Sequence, residues 1–153
     1  MSKQFFVLTT FFLGFLLLSN SCTTAQTTQQ TVTGKIYEQS QVNKKAEFEG
    51  GKAQLFQFLS SNLEYPAEAI QKGIQGKVIV RLVVESNGTI SNIETLRDIG
   101  AGCADEIIRG LQRTQGRWNS AKIDRKRVRS YYVLSINFKI PSDNSRPYIQ
   151  ESL

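Results

Sequence analysis

The stretch that decides the fold is residues 77–90, which read KVIVRLVVESNGTI. Apolar side chains occupy every second position of its first half, at Val78, Val80, Leu82 and Val84. A repeat of two residues is the period of a β-strand, so one face of this strand is predicted to be buried. Asn87 and Gly88 then favour a two-residue hairpin turn, because both central residues of such a turn need a positive φ.

The return strand of this hairpin is predicted over residues 89–96. Its alternation slips between Ile90 and Ile93. One extra residue in a strand produces such a slip, so we expect a β-bulge there.

Helical spacing appears on both sides of the hairpin. Apolar residues three and four positions apart predict helices over residues 52–61 and 102–113. A second short helix is predicted to begin at Tyr65 and Pro66, since proline suits the first helical turn. Gly73 is placed to end that helix.

The last strand is predicted over residues 127–139, and Pro141 follows it. Its inward face is mainly apolar and contains Val128, Tyr132, Leu134, Ile136 and Phe138. Its outward face contains Arg127, Arg129, Tyr131, Val133, Ser135, Asn137 and Lys139. The order helix, helix, strand, strand, helix, strand predicts an α+β fold, with two or three helices packed on one face of a small antiparallel sheet of about three strands.

Composition argues against catalysis. The 153 residues include no histidine and two cysteines, Cys22 and Cys103. Without histidine there is no Ser–His or Cys–His pair and no histidine-ligated metal, and two cysteines cannot form a four-cysteine zinc site. We therefore expect no enzyme activity, no cofactor and no metal, and we expect Cys103 to be a small buried apolar residue.

The N-terminus predicts export. Residues 5–18 form a mainly apolar run of 14 residues, shorter than the roughly 20 residues that span a bilayer and typical of a secretory signal peptide. Small residues favour cleavage that removes residues 1–25. Alternatively, lipidation of Cys22 would make residues 1–21 a lipoprotein signal, or the segment stays uncleaved as an anchor. We therefore expect a periplasmic protein, either free or held at a membrane by lipid or by its N-terminus.

Composition divides the remaining chain into three parts. Residues 26–45 are rich in Thr and Gln and predict a flexible polar tether. Residues 46–141 carry the predicted helices and strands, and the polar residues 142–153 predict a disordered tail. The net charge is +6, from 19 Lys and Arg against 13 Asp and Glu. An exported chain seldom meets nucleic acid, so we expect no nucleic-acid partner despite this charge.

At this point the sequence resembles the C-terminal domains of TonB energy transducers over residues 47–140. The segments YPAEA at residues 65–69 and GIQGKV at residues 73–78 are similar to the YPxxA…GIxGxV signature of that family, and EFEGG at residues 47–51 resembles a segment that precedes the domain in Bacteroidetes-type versions. The matching motif residues, to which the resemblance assigns structural roles, are Tyr65, Pro66, Gly73, Gly76, Gly88, Trp118 and Phe138.

The sequence also departs from the family pattern. Prolines that usually flank the tryptophan are absent around Trp118, and Ser135 stands where the last strand usually carries proline. Residues 26–45 contain no proline, whereas a full TonB has a long proline-rich spacer and an N-terminal membrane helix. These departures raise the question of whether an energy-transducing motor acts on this chain.

The resemblance implies a protein-binding function in TonB-linked transport. The family's domain binds an extended segment of an outer-membrane transporter by adding it to an edge strand, which requires unpaired backbone groups. On this chain the corresponding residues are the outward face of the last strand, from Arg127 to Lys139. An open edge also allows a homodimer to form through it.

An alternative hypothesis uses the basic residues instead of the edge. In this view the chain is an envelope-associated structural or adaptor module without energy transduction. Its basic face would bind cell-wall polymer or anionic lipid through electrostatic attraction. That basic patch consists of Lys122, Arg125 and Lys126.

Overall fold

The computed structural model describes residues 34–141 and 147–151. The predicted signal peptide and Cys22 lie outside these residues. The three helices are α1 (Gly51–Asn62), α2 (Ala67–Gln71) and α3 (Cys103–Gln112). These bounds confirm the predicted helices, with α1 and α3 each within one residue of the predicted ends.

Within the described residues, eight strands accompany the helices and form two sheets. In chain order they are β1 (Ile36–Tyr37), β2 (Glu47–Phe48), β3 (Gly76–Val84), β4 (Ile90–Arg97), β5 (Trp118–Asn119), β6 (Ala121–Ile123), β7 (Lys126–Lys139) and β8 (Tyr148–Glu151). The main sheet runs β1-β7-β3-β4, and β6 and β8 also pair with β7. β2 and β5 form a separate antiparallel pair. β1 is parallel to β7, whereas β3, β6 and β8 are antiparallel to it.

The α+β class is confirmed, but the prediction of an antiparallel sheet of about three strands is wrong. The main sheet has six strands and is mixed. The additional strands β1, β6 and β8 are two to four residues long, too short to show a period of two. β1 lies within residues 26–45, which composition predicts as a tether, and weak alternation over residues 31–37 leaves a short strand open there. β8 lies within residues 142–153, which composition predicts as a tail. Both strands pair through their main chains with β7.

All three helices contribute to a core on one face of the main sheet. α1 contributes Leu55 and Leu59, and α3 contributes Ile107 and Leu111, all with no exposed surface. From the sheet, the fully buried apolar residues include Val78, Val80, Leu82, Val84, Ile136 and Phe138. The predicted inward face of the last strand is thus confirmed. Cys103 is also fully buried, as expected.

The hairpin between β3 and β4 turns differently from the prediction. Gly88 has φ +86°, but Asn87 is not among the described residues with a positive φ. The N–H of Gly88 donates to the carbonyl of Glu85 at 3.0 Å, and the N–H of Glu85 donates to the carbonyl of Thr89 at 2.8 Å. These bonds enclose a three-residue loop, so the predicted two-residue turn is wrong. Only the glycine is needed at a left-handed position.

The predicted bulge in the return strand is confirmed. Arg81 pairs with Glu94 and Val83 pairs with Ser91, so β4 uses one more residue than β3 over this interval. Asn92, inside the interval, has φ +45°. A second shift of the same sense lies between Ile79 and Val80. β4 is therefore out of regular step with β3 at two places.

Candidate partner-binding edge

The strand predicted to form the sheet edge lies inside the sheet. Ser130 of β7 pairs with Val84 of β3 and with Tyr37 of β1. Near the other end of β7, Ile136 pairs with Val78 of β3 and with Glu151 of β8. β1 and β8 therefore cover the side of β7 opposite β3. The sequence predicted that β7 is an edge from Arg127 to Lys139. In the structure, β7 is open over only part of that length.

Between β1 and β8, a section of β7 remains open. Within the described residues, β3 is the only strand that pairs with residues 131–135. We call these five residues the open stretch. Their backbone groups alternate in direction, so every second residue directs its N–H and C=O away from β3. The open stretch is about 17 Å long, at about 3.4 Å per residue.

A groove of about 630 Å³ lies beside the open stretch. Tyr132 and Val133 form its β7 wall. Residues 43–47 line it as well, together with Gln39 and Lys52. A strand with a described partner on one side only and a groove beside it are what a sheet needs to accept an extended segment as an additional strand.

The outward-facing residues of β7 have different surroundings. Val133 is 49% exposed and lies in the open stretch. The guanidinium carbon of Arg81 lies over the Tyr131 ring, 4.7 Å from the ring centroid. The hydroxyl oxygen of Ser135 is buried and has no hydrogen-bond partner among the described residues. Three of the seven predicted edge residues thus belong to the open stretch.

The other four predicted edge residues lie outside the open stretch. Asn137 and Lys139 face Gln150 and Tyr148 of β8 in the pairing register. Arg127 is exposed and pairs with Lys122 of β6.

Arg129 makes internal contacts instead of facing solvent. Its Nε donates to Oε2 of Glu85 at 2.6 Å, and its Nη1 donates to the carbonyl of Gly34 at 2.8 Å. Burial alone would raise the pKa of Glu85, but hydrogen bonds from Arg129 and Ser91 and the Arg129 charge hold it below its usual value. Arg129 therefore stabilises the fold.

The predicted basic patch lies on the β6–β7 hairpin. Asp124 and Arg125 form its turn, with φ +47° and +68°. Lys126 is exposed and Lys122 half-buried. The Lys122 N–H donates to the carbonyl of Lys44 at 2.8 Å. Along β7 the patch precedes the open stretch, and its backbone contact with Lys44 reaches the lining of the groove.

The motif residues support the core behind β7. The Tyr65 hydroxyl donates to the carbonyl of Ile74 at 2.7 Å, and its ring meets Phe138 edge-on at 5.2 Å. Trp118 donates from Nε1 to Thr114 Oγ1 at 3.0 Å. Pro66 directly precedes α2. Gly73 and Gly76 adopt φ +64° and +145°.

Sequence reasoning missed the side of the groove away from β7. The predicted tether, residues 26–45, includes Lys44 and Lys45, and no sequence pattern predicts a site role for Glu47 or Lys52. None of them follows a helical or strand period that points to a site. The one available signal is the adjacent Lys44–Lys45 pair directly before Ala46, the first buried residue in the part of the chain that the structure describes.

The described residues provide little for catalysis or metal binding. No group of three Asp, Glu, His or Cys side chains within residues 34–141 and 147–151 could hold a metal ion. Burial, with a smaller contribution from Asp98, raises the pKa of the Cys103 thiol to about 11, so it is not a reactive thiolate. No described helix is long and apolar enough to span a membrane.

Comparison with known proteins agrees with the α+β fold. The family described as "Gram-negative bacterial TonB protein C-terminal" matches residues 61–140, which contain α2, α3 and the central strands β3, β4 and β7. A search of curated proteins finds no match. Domains of this family are non-enzymatic and envelope-associated, and they generally interact with outer-membrane transporters. Because the match covers more than half of the 153 residues, the chain belongs to the family of TonB C-terminal domains.

Proposed function

We propose that this protein is a periplasmic protein-binding domain that adds an extended segment of an outer-membrane transporter to β7, in TonB-linked transport. The family supports this kind of partner. The observation that carries the proposal is the open stretch, where β7 has a partner strand on one side only among the described residues. The added segment would lie in the gap between β1 and β8.

The geometry limits the length of that segment. β1 ends opposite Ser130 and β8 reaches Ile136, so the gap spans five residues of β7. Main-chain hydrogen bonds to the two or three outward-directed residues would supply affinity, and side-chain contacts would supply specificity. Such a small contact favours weak, reversible binding.

Amide hydrogen exchange followed by NMR tests the proposal on the full-length protein. In the free protein, every second amide of the open stretch is expected to exchange fast, because it does not donate to β3. Adding peptides from the periplasm-facing segments of outer-membrane transporters should slow the exchange of those amides. The alternate amides that donate to β3 are the internal control, since they should be slow in both states.

Two results would count against the proposal. In the first, the outward-directed amides remain equally fast at saturating peptide. In the second, peptide changes occur only around Lys122, Arg125 and Lys126 and disappear with added salt, as expected for the basic-face alternative.

We propose that the N-terminal segment directs export. The mass of the purified protein distinguishes the three ways in which the segment can be processed. Cleavage after residue 25 gives a chain beginning at Gln26, and lipidation gives a chain beginning at a modified Cys22. An intact Met1 in the envelope fraction indicates an uncleaved anchor. Recovery of the intact chain only from the cytoplasm would contradict export.

A further inference from the structure

We propose that the segment added at the open stretch is acidic and that Lys44 and Lys45 recognise its carboxylates. The inference rests on the proposed function, because it names the chemistry of the partner that binds there.

The groove beside the open stretch has an excess of positive charge. Its charged residues are Lys44, Lys45, Lys52 and Glu47, three cations and one anion. Lys44 and Lys45 are both exposed, and neither forms an ion pair with another described residue. An extended segment in this groove therefore meets the ammonium groups of Lys44 and Lys45, which form no ion pair with a described residue.

Backbone contacts hold the two lysines in place on the groove wall. Lys44 donates from its N–H to the carbonyl of Lys122 at 3.1 Å and accepts from the Lys122 N–H at 2.8 Å. After the lysines, the chain enters the core at Ala46 and Phe48, which are 4% and 1% exposed. The wall is therefore fixed to the domain on both sides of the lysines, which lowers the entropy lost when a partner binds.

The same geometry argues for an extended peptide and not a membrane surface. The lysines line a groove whose other wall is formed by Tyr132 and Val133 of β7. An added strand alternates its side chains between the two faces of the sheet, so carboxylates at every second position can all point to one wall. A flat anionic surface cannot pair with the backbone groups of the open stretch.

The test uses three capped seven-residue peptides that alternate Thr with Glu, Gln or Lys. Thr favours an extended chain, and the three peptides differ only in charge. NMR titration of the full-length protein to millimolar peptide should show shifts in residues 131–135, with the Glu peptide binding tightest. Its affinity should fall as salt is raised, because exposed charges are screened over about 10 Å at 0.1 M salt.

Matched variants test whether Lys44 and Lys45 are the groups that recognise the negative charge of the peptide. Lys44→Gln and Lys45→Gln should each weaken the Glu peptide by about two- to fivefold and leave the Gln peptide unchanged, as expected for exposed ion pairs. Lys126→Gln is the control, because Lys126 is an exposed lysine outside the groove. It should change neither affinity.

The outcomes separate the inference from the proposed function. If all three peptides shift residues 131–135 with equal affinity, or the Lys peptide binds best, the acidic preference is wrong while strand addition stands. If the Glu peptide is preferred but the Lys44 and Lys45 variants have no effect, these lysines are not the recognition groups. If no peptide of any charge shifts residues 131–135, the inference and the proposed function both fail.

Discussion

Arg129 and Glu85 form a two-point ion pair that joins β7 to the end of β3. Arg129 Nε lies 2.6 Å from Glu85 Oε2, and Arg129 Nη2 lies 2.9 Å from Glu85 Oε1. Their side chains are only 13% and 9% exposed. The same guanidinium also donates to Gly34, so it links the N-terminal segment to the sheet. A residue predicted to meet a partner is instead part of the support for β1.

Replacing Arg129 with Met should destabilise the fold strongly. The substitution leaves the Glu85 carboxylate buried without its cation, and breaking a buried ion pair costs about 3–5 kcal/mol. Urea denaturation measures the loss. Arg127→Met is the matched control, because Arg127 is an exposed residue two positions away on β7, and it should change stability by less than about 0.5 kcal/mol. Equal losses in the two variants would contradict the role given to the pair.

The same pair predicts a pH dependence of stability. The pKa of Glu85 is lowered in the folded protein, so its contribution is fully present above the unfolded-state pKa of about 4.3. The contribution is lost as pH falls through the folded-state pKa. Glu85→Gln should therefore be less stable than the unmodified protein at pH 7, with the difference shrinking on acidification to pH 3. Urea denaturation of both proteins across this range measures it, and a difference independent of pH would refute the assignment.

Gly88 should tolerate no side chain. A Cβ at this position would lie 2.5 Å from the Trp118 carbonyl oxygen, and φ is +86°. Gly88→Ala should cost about 2–3 kcal/mol, since strain and a backbone clash act together. Gly116→Ala is the control, because it has φ +75° with no atom within 4 Å of the added Cβ, and it should cost about 1 kcal/mol. Thermal unfolding distinguishes the two, and equal costs would exclude the clash.

Val133 tests the site of binding separately from stability. It is 49% exposed in the open stretch, and Leu96 on β4 is 48% exposed. Val133→Glu should weaken binding of an acidic segment, because it places a like charge beside the added strand. Leu96→Glu should leave that affinity unchanged. Circular dichroism confirms folding of each variant, and peptide titration gives the affinities. A larger effect at Leu96 would move the site to β4.

Removing residues 147–153 should lengthen the binding site. β8 pairs with residues 136–139 of β7, and its removal leaves those main-chain groups without that partner. Peptides of nine residues should then bind the truncated protein more tightly than the full-length protein, whereas peptides of five residues should bind both alike. Titration calorimetry measures the difference. A loss of affinity for both lengths would mean that β8 supports the site instead of limiting it.

The sequence predicted the parts of the fold that depend on periodic burial. The alternation around Val80 predicted the central strands, and the helical spacing around Leu55 and Ile107 predicted the helices. These predictions succeeded because each of these elements buries one regular face. β1 and β8 depend on main-chain pairing with β7, to which a polar side chain is no obstacle, so composition alone does not locate them.

The candidate site was predicted only in part for the same reason. Val133 was identified from its outward position on a long strand. The limits of the open stretch depend on β1 and β8, and the groove depends on where Lys44 and Lys45 come to lie. Those are long-range relationships that no local pattern records.

The two shifts in β4 have a consequence for how the protein behaves at high concentration. A second sheet laid along β4 would find its hydrogen-bonding groups out of step at Asn92 and again near Leu96. β-Bulges of this kind protect sheet edges from indiscriminate association. Addition of a further strand is therefore disfavoured on the β4 side of the main sheet. The irregular β4 edge is thus a poor template for polymerisation of the chain at high concentration.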